Sequence, residues 1–255
     1  MGAGWRLAQS LMTISDDLAP GDVHVWRIGL RQPDGVLRSC WRLLASDERL
    51  RARRYRFEGG CRSFVVGRGA MRDILSRYVG TAPARLRFAY TSAGKPHFPL
   101  ETGSAVTFNL THSSELAVLA VAKSIRVGVD VERRGSHLGV MVYADRFLAP
   151  GEAAVLRAVG PADKADAFLD CWTRKEAYLK AGGEGLSMPL DAFDVAFGPG
   201  VRPALLRVDG DPHEPSRWSL YALEIDPEYR GALFLEGHAH AVRHCTWTWG
   251  RPPAE

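Results

Sequence analysis

The longest unbroken apolar run in the chain is seven residues, Leu116 to Ala122. A membrane-spanning helix needs about 18 or more such residues. The run therefore reads as a strand, inside a strand-rich stretch over 106–132 whose other strand signals fall at 106–110 and 127–132. Everything else in the chain has to be arranged around that stretch. Upstream, the pattern gives a strand at 23–30, a short helix near 46–54 and a longer helix at about 62–79. Ser46 is placed to cap the short helix, and Asp47 and Glu48 suit its positive first turn. Phe64, Met71, Leu75 and Tyr78 form one apolar stripe on the longer helix, which Thr81-Ala82-Pro83 is expected to end. A strand follows at 86–90. After Gly135 the periodicity turns helical, through 140–147, 151–159 and 163–181, and Gly182-Gly183 stops the last helix. Strand signals return at 193–197, 218–223 and 232–237.

Each half thus mixes helices with strands that can pair antiparallel. The expected class is α+β, with two lobes of similar size and the junction in the 106–132 stretch. No repeat, low-complexity tract or obvious linker interrupts it. With 46% hydrophobic and 24% charged residues, the 255-residue chain is excluded from the disordered, collagen-like and coiled-coil classes. Cys40, Cys61, Cys171 and Cys245 are widely spaced, with no CxxC pair, and Gln9 and Ser10 cut the first apolar stretch. No secretory signal is read, and reduced thiols in a cytoplasmic protein are expected.

The formal net charge of +4 hides an asymmetry, because residues 1–80 carry 14 arginines against 8 acids. Nine of those arginines lie between Arg49 and Arg77, with only Glu58 and Asp73 among them. Such a cluster suits nucleic acid, a phosphorylated small molecule, or simply a solvated helix face.

Three segments carry candidate chemistry. In Val127-Gly128-Val129-Asp130-Val131-Glu132, strand alternation puts Asp130 and Glu132 on one face, about 6.6 Å apart from two rises of ~3.3 Å. Two carboxylates at that reach can share a hard cation, or equally make an acidic solvated face. In the helix over 168–180, Trp172, Glu176 and Lys180 follow at i, i+4 and i+8, at about 0°, 40° and 80° around the axis. A Glu before a Lys at i, i+4 is also an ordinary surface pair. In Phe108-Asn109-Leu110-Thr111-His112-Ser113, a His between two hydroxyls could donate to a phosphate, or could be a structural His in a turn. Upstream, Ala93-Gly94-Lys95-Pro96 reads as a turn carrying a cation. It is no P-loop, since Pro96 stands where Ser or Thr would be needed.

Taken in order, Gly94-Lys95-Pro96, Phe108 to Ser113, Gly128 to Glu132, Trp172 to Lys180 and Gly185-Leu186-Ser187 resemble the surfactin-type 4′-phosphopantetheinyl transferases over about residues 46–197. Thr111 departs from the Ser usual in the family but keeps the hydroxyl. The resemblance implies an enzyme that moves the phosphopantetheine arm of coenzyme A to a serine of an apo acyl or peptidyl carrier protein, releasing adenosine 3′,5′-bisphosphate. It implies two α/β lobes related by a pseudo-two-fold, 1–124 and 125–255, with the active site in the cleft between them. By resemblance, Asp130, Glu132 and Glu176 would be Mg²⁺ ligands, with Glu176 also the base and Lys180 stabilising the leaving group. Coenzyme A would meet Arg51, Gly94, Lys95, Pro96, Asn109, Thr111, His112, Asp130, Glu176 and Lys180. Trp172 is expected to pack the cleft wall, and the protein to be a monomer. Two other readings compete on the residues alone. One is a metal-dependent phosphodiesterase or nucleotide hydrolase, and the other a nucleic-acid-binding module using Arg49 to Arg77.

Overall fold

The computed structural model describes residues 18–135, 140–183 and 188–250. Strand β1 (Asp22–Gly29) is followed by helices α1 (Asp34–Leu43), α2 (Ser46–Ala52) and α3 (Glu58–Val79). A short hairpin, β2 (Ala89–Tyr90) and β3 (Pro96–His97), leads into β4 (Val106–Ser113), β5 (Leu116–Lys123) and β6 (Val127–Arg133). Helices α4 (Val140–Phe147), α5 (Pro150–Ala158) and α6 (Lys164–Gly182) come next. The chain then forms β7 (Phe193–Ala196), β8 (Ala204–Val208), β9 (Trp218–Ala222), β10 (Tyr229–Glu236) and β11 (Ala241–Thr246). Mixed helices and mainly antiparallel sheets give the α+β class expected from the sequence.

Two sheets organise the molecule. The first has the order β11-β1-β5-β4, the second β6-β10-β9. The apolar run is β5, which pairs with β1 on one side and β4 on the other, and all of it but Lys123 is buried. Its uninterrupted hydrophobicity follows from being covered on both faces. On one face it meets α3, through a core that includes Met71, Ile74 and Leu119. On the other, Val118 and Ala120 pack with Val129 and Leu233 of the second sheet. β11 runs parallel to β1, with Asp22 opposite Ala241, so residues 241–246 lie in the same sheet as the N-terminal strands. The expected division at 124/125 does not contain that crossing.

Helix α6 lies on the second sheet. A Cβ built on Gly128 would stand 2.0 Å from the Ala177 carbonyl oxygen and 2.3 Å from the Ala181 nitrogen. Glycine is therefore what lets α6 sit directly on β6. On its far side α6 is anchored by Lys175, whose side chain is fully buried and bonds Glu152 Oε2 at 2.7 Å and the Leu190 carbonyl at 2.8 Å. Breaking such a buried pair by removing one partner costs about 3–5 kcal/mol.

Several expectations need correction. The strand at 86–90 shrinks to β2, because the backbone before it is otherwise engaged. Residues Pro83–Arg85 form a 3-10 turn, and Arg72 takes the carbonyls of Pro83 and Leu86 at 2.9 and 3.1 Å. Ser46 does not cap α2. Ala45 is the cap, its N–H bonded by the Glu48 carboxylate at 3.0 Å. α3 begins four residues earlier than read and ends at Gly80, in a left-handed conformation, before Thr81 is reached. Helix α1 and strands β8 and β11 were not read from the sequence. β4 continues to Ser113, so His112 stands in a strand and not in a turn. No described helix is long and apolar enough to cross a membrane. Gly185-Leu186-Ser187 and the N-terminal Gln9 and Ser10 fall outside the described residues.

Gly128→Ala should destabilise the protein by about 3 kcal/mol or prevent folding, since backbone of α6 blocks the new methyl. Urea unfolding checks this, and wild-type stability would mean that α6 does not rest on β6.

Candidate functional site

A cavity of about 480 Å³ opens between α3, the β2–β3 turn, β4 and the last turns of α6. From α2 and α3 it is lined by Arg51, Phe64 and Arg68, from the turn by Gly94, Lys95 and Pro96, from β4 by Asn109 and His112, and from α6 by Glu176 and Lys180. Segments distant in sequence thus meet, as their order suggested. Thr111, Asp130 and Glu132 lie beside this lining.

The strand alternation of β4 explains its face of the cavity. Thr107, Asn109, Thr111 and Ser113 reach toward β6, while Phe108 is buried in the core and Leu110 packs against it. Asn109 Oδ1 accepts the Val129 N–H at 2.8 Å, Thr111 donates to Asp130 Oδ1 at 2.9 Å, and Ser113 donates to Glu132 Oε2 at 2.7 Å. Asn109 and Thr111, expected as coenzyme A contacts, are therefore engaged in joining β4 to β6.

Asp130 is the electrostatic centre. Lys180 Nζ lies 2.5 Å from its Oδ1 and 3.3 Å from Thr111 Oγ1. Lys180 thus pairs across to β6, not with Glu176 one turn back. The other oxygen, Oδ2, is buried with no hydrogen-bond partner. A buried carboxylate oxygen left open is costly unless a cation or donor is meant to reach it. Burial raises the pKa of Glu176, with Lys180 opposing and Asp130 and Glu132 adding to the rise. Burial likewise raises that of Glu132, against the Ser113 hydrogen bond. A set of neighbouring carboxylates, two of them desolvated by burial, is suited to a divalent cation. Among the described residues, no three His, Cys, Asp or Glu side chains are already gathered around one point. As the structure stands, the ammonium of Lys180 neutralises Asp130.

The opposite wall is cationic. Lys95 donates to the carbonyls of Val127 at 2.9 Å and Lys180 at 2.5 Å, which leaves one of its three N–H groups for a ligand. Burial and the neighbouring Arg126 and Lys180 push its pKa down to about 8. His112 is exposed at the cavity mouth. Its pKa is lowered first by its partial desolvation there and then by Lys180, with Arg51 and Arg68 acting in the same direction.

The basic cluster read from the sequence divides by role. Arg72 is buried on Glu48 at 2.6 Å, Arg62 pairs with Asp34, Arg77 with Asp73, and Arg49 bonds the carbonyls of Trp41 and Arg42. Arg51 and Arg68 face the cavity. Arg68 was missed by sequence reading, although it lies four residues after Phe64 on the stripe assigned to the core. An arginine on that stripe was the available signal. Trp172 does not line the cavity. Its ring packs on Phe147 and Phe168, joining α6 to α4.

A cavity with a cationic wall that ends on a carboxylate and lysine centre, in an α+β fold, has the chemistry of an enzyme site suited to an anionic substrate. Comparison with known proteins carries this further. A family model described as the 4′-phosphopantetheinyl transferase superfamily matches residues 126–242, and one described as 4′-phosphopantetheinyl transferase, N-terminal, matches residues 34–124. The chain is 37% identical over 221 residues to the 4′-phosphopantetheinyl transferase HetI of Nostoc sp., covering 86% of this chain and 90% of that one. It is 30% identical over 190 residues to a 4′-phosphopantetheinyl transferase of Bacillus subtilis, with 74% and 81% covered. To the 4′-phosphopantetheinyl transferase Sfp of Bacillus subtilis strain 168 it is 28% identical over 197 residues, with the same coverage. The chain belongs to the 4′-phosphopantetheinyl transferase family.

The raised pKa of Glu176 has a consequence for stability. A carboxyl whose folded pKa lies above its unfolded value weakens folding as pH rises through that interval, because the unfolded state releases its proton first. Glu176→Gln should therefore melt above wild type at pH 8, and the gain should vanish toward pH 4. A lower melting temperature at pH 8 would contradict the assigned electrostatics.

Proposed function

We propose that the enzyme transfers the 4′-phosphopantetheine arm of coenzyme A to the serine hydroxyl of an apo acyl or peptidyl carrier protein, releasing adenosine 3′,5′-bisphosphate. The observation that carries this reading is the meeting, in one cavity, of Glu176 and Lys180 from α6 with Arg51, Lys95 and His112 from the first half of the chain. Coenzyme A has a polyanionic half and a reactive pyrophosphate, and the cavity has a cationic wall and a carboxylate end to match them.

Attack on the pyrophosphate develops charge on several oxygens, so orientation and neutralisation dominate the rate. Asp130, Glu132 and Glu176 would hold Mg²⁺, and the open Asp130 Oδ2 fits that role. When bound, the ion supplies charge neutralisation at the pyrophosphate. Glu176 takes the proton of the incoming serine hydroxyl, a role that its raised pKa favours by increasing its basicity. Lys180 donates toward the leaving bisphosphate. Arg51, the remaining N–H of Lys95, and His112 hold phosphate oxygens, with Gly94 and Pro96 shaping the turn that presents Lys95. Asn109 and Thr111 act from behind, by fixing the strand that carries His112.

The reading includes two lobes related by a pseudo-two-fold, with the cavity in the cleft between them. Each main sheet packing with one long helix, α3 or α6, supports it. It also includes a monomeric, cytoplasmic protein, and the four free cysteines are compatible with a reducing compartment.

Intact mass of apo carrier proteins incubated with enzyme, coenzyme A and Mg²⁺ tests the activity. At least one carrier in a broad panel should gain one phosphopantetheine arm on a serine. No modified carrier, with free coenzyme A hydrolysed instead, would favour the phosphodiesterase. Glu176→Gln should lower single-turnover transfer about 10²-fold or more while the fold, followed by circular dichroism, is kept. A wild-type rate would remove Glu176 from the chemistry. Asp130→Ala should abolish metal-dependent turnover, and normal activity at saturating Mg²⁺ would end its assignment as a ligand.

A further inference from the structure

We infer that Ser113 is a positioning residue for the cation site: by holding one oxygen of Glu132 it makes that carboxylate a single-oxygen ligand, and so sets a preference for Mg²⁺ over Ca²⁺. The inference rests on the reading of Asp130, Glu132 and Glu176 as the cation's ligands, and adds a residue to which neither the motifs nor the resemblance gave a role. The two acids of β6 are held differently. Asp130 Oδ1 is bonded by both Thr111 and Lys180. Glu132 makes no ion pair among the described residues, and its one hydrogen bond there comes from Ser113 Oγ, which donates to Oε2 at 2.7 Å. The cation opposite it on the β6–β10 ladder, Arg230, is taken by Asp166 of α6 at 2.7 Å. The sense of the Ser113 bond is settled by its other partner. Its oxygen accepts the Arg133 N–H at 3.1 Å, so its single proton is left for the carboxylate, which can only accept.

The hydroxyl is itself held in place. Ser113 ends β4 and pairs with Leu116 of β5 across a two-residue turn, in which Ser114 takes the left-handed conformation at φ 52°. The other turn residue, Glu115, accepts the Leu30 N–H at 2.8 Å, and its own N–H meets the Tyr229 hydroxyl at 3.4 Å. A serine on so short and braced a turn cannot follow a swinging carboxylate, so its hydrogen bond holds the Glu132 side chain in one setting. With Oε2 engaged, Oε1 is the oxygen left for a cation. Mg²⁺ demands near-ideal octahedral geometry at short range, whereas the larger Ca²⁺ takes more ligands and accepts a carboxylate through both oxygens. Freeing Oε2 therefore removes an obstacle to Ca²⁺, while Mg²⁺ loses a fixed ligand and gains nothing.

Mn²⁺ titration of the full-length protein, followed by electron paramagnetic resonance and displaced with Mg²⁺ or Ca²⁺, tests this in wild type, Ser113→Ala and Ser113→Thr. For Ser113→Ala the Kd of Mg²⁺ should rise about tenfold, the scale of losing the partner behind a metal ligand, while that of Ca²⁺ changes less than about twofold. Ser113→Thr, which keeps the hydroxyl and suits a strand, should restore the wild-type preference. Ser113→Cys, of similar size but a weak donor, takes the place of the alanine variant if that one does not fold. Equal losses for both ions would make Ser113 a structural residue of the strand end and overturn the inference. An unchanged preference would overturn it too. Wild-type protein that holds no Mn²⁺ would overturn the reading of the carboxylates as ligands, and with it this assignment.

Discussion

The site depends on a seam made by side chains. β4 is the last strand of one sheet and β6 the first of the other, and among the described residues they share no backbone ladder. Every second residue of β4 instead reaches across. Thr107 donates to the Ile125 carbonyl at 2.6 Å, Asn109 accepts from Val129, Thr111 donates to Asp130, and Ser113 donates to Glu132 while accepting the Arg133 N–H at 3.1 Å. Buried hydrogen bonds of this sort are modest in net worth but costly to leave unmade, so the register of the two strands is strongly specified. Both acidic residues of β6 are positioned by that register.

The functional groups are then locked to the seam from both sides. Lys95 ties the β2–β3 turn to the β6 carbonyl of Val127 and to the end of α6. Gly128 lets α6 approach β6 closely enough for Lys180 to meet Asp130. Adjacent residues of α6 divide the labour. Lys175 points away, buried against Glu152 and the carbonyls around Leu190 and Phe193, while Glu176 faces the cavity. The motif is thus half anchor and half cavity lining, which explains why a charged run sits on a largely buried helix.

Much of this was legible in the sequence, and the failures have physical causes. Long periodic elements such as α3 and α6, and the apolar β5, announced themselves because burial imposes their pattern. Of the short hairpin, β3 left no trace and β2 was read only as the end of a longer strand, since two-residue strands carry no period. β11 was missed because its pairing with β1 is a contact across most of the chain, with no local trace. Lys95, His112, Glu176 and Lys180, singled out by their order along the chain, do line one cavity, with Asp130 beside it on Lys180. The parts played by Asn109 and Thr111 were not legible, because a polar residue on a strand looks the same whether it faces a ligand or a neighbouring strand. Arg68 was hidden for the opposite reason, as a charge on a stripe read for its hydrophobicity.

That one hydrogen-bonded seam positions the Asp130 carboxylate, independently of the cationic wall, is the central claim. It is tested most directly by Thr111→Val, which removes the hydroxyl shared by Asp130 and Lys180 and keeps the side-chain shape. Single-turnover transfer and coenzyme A affinity should be measured on the same preparation. The account predicts transfer slowed about tenfold or more, for a lost hydrogen bond to a charged group of roughly 1.5–3 kcal/mol, with coenzyme A affinity unchanged within about twofold. Loss of affinity with the transfer rate preserved would contradict it.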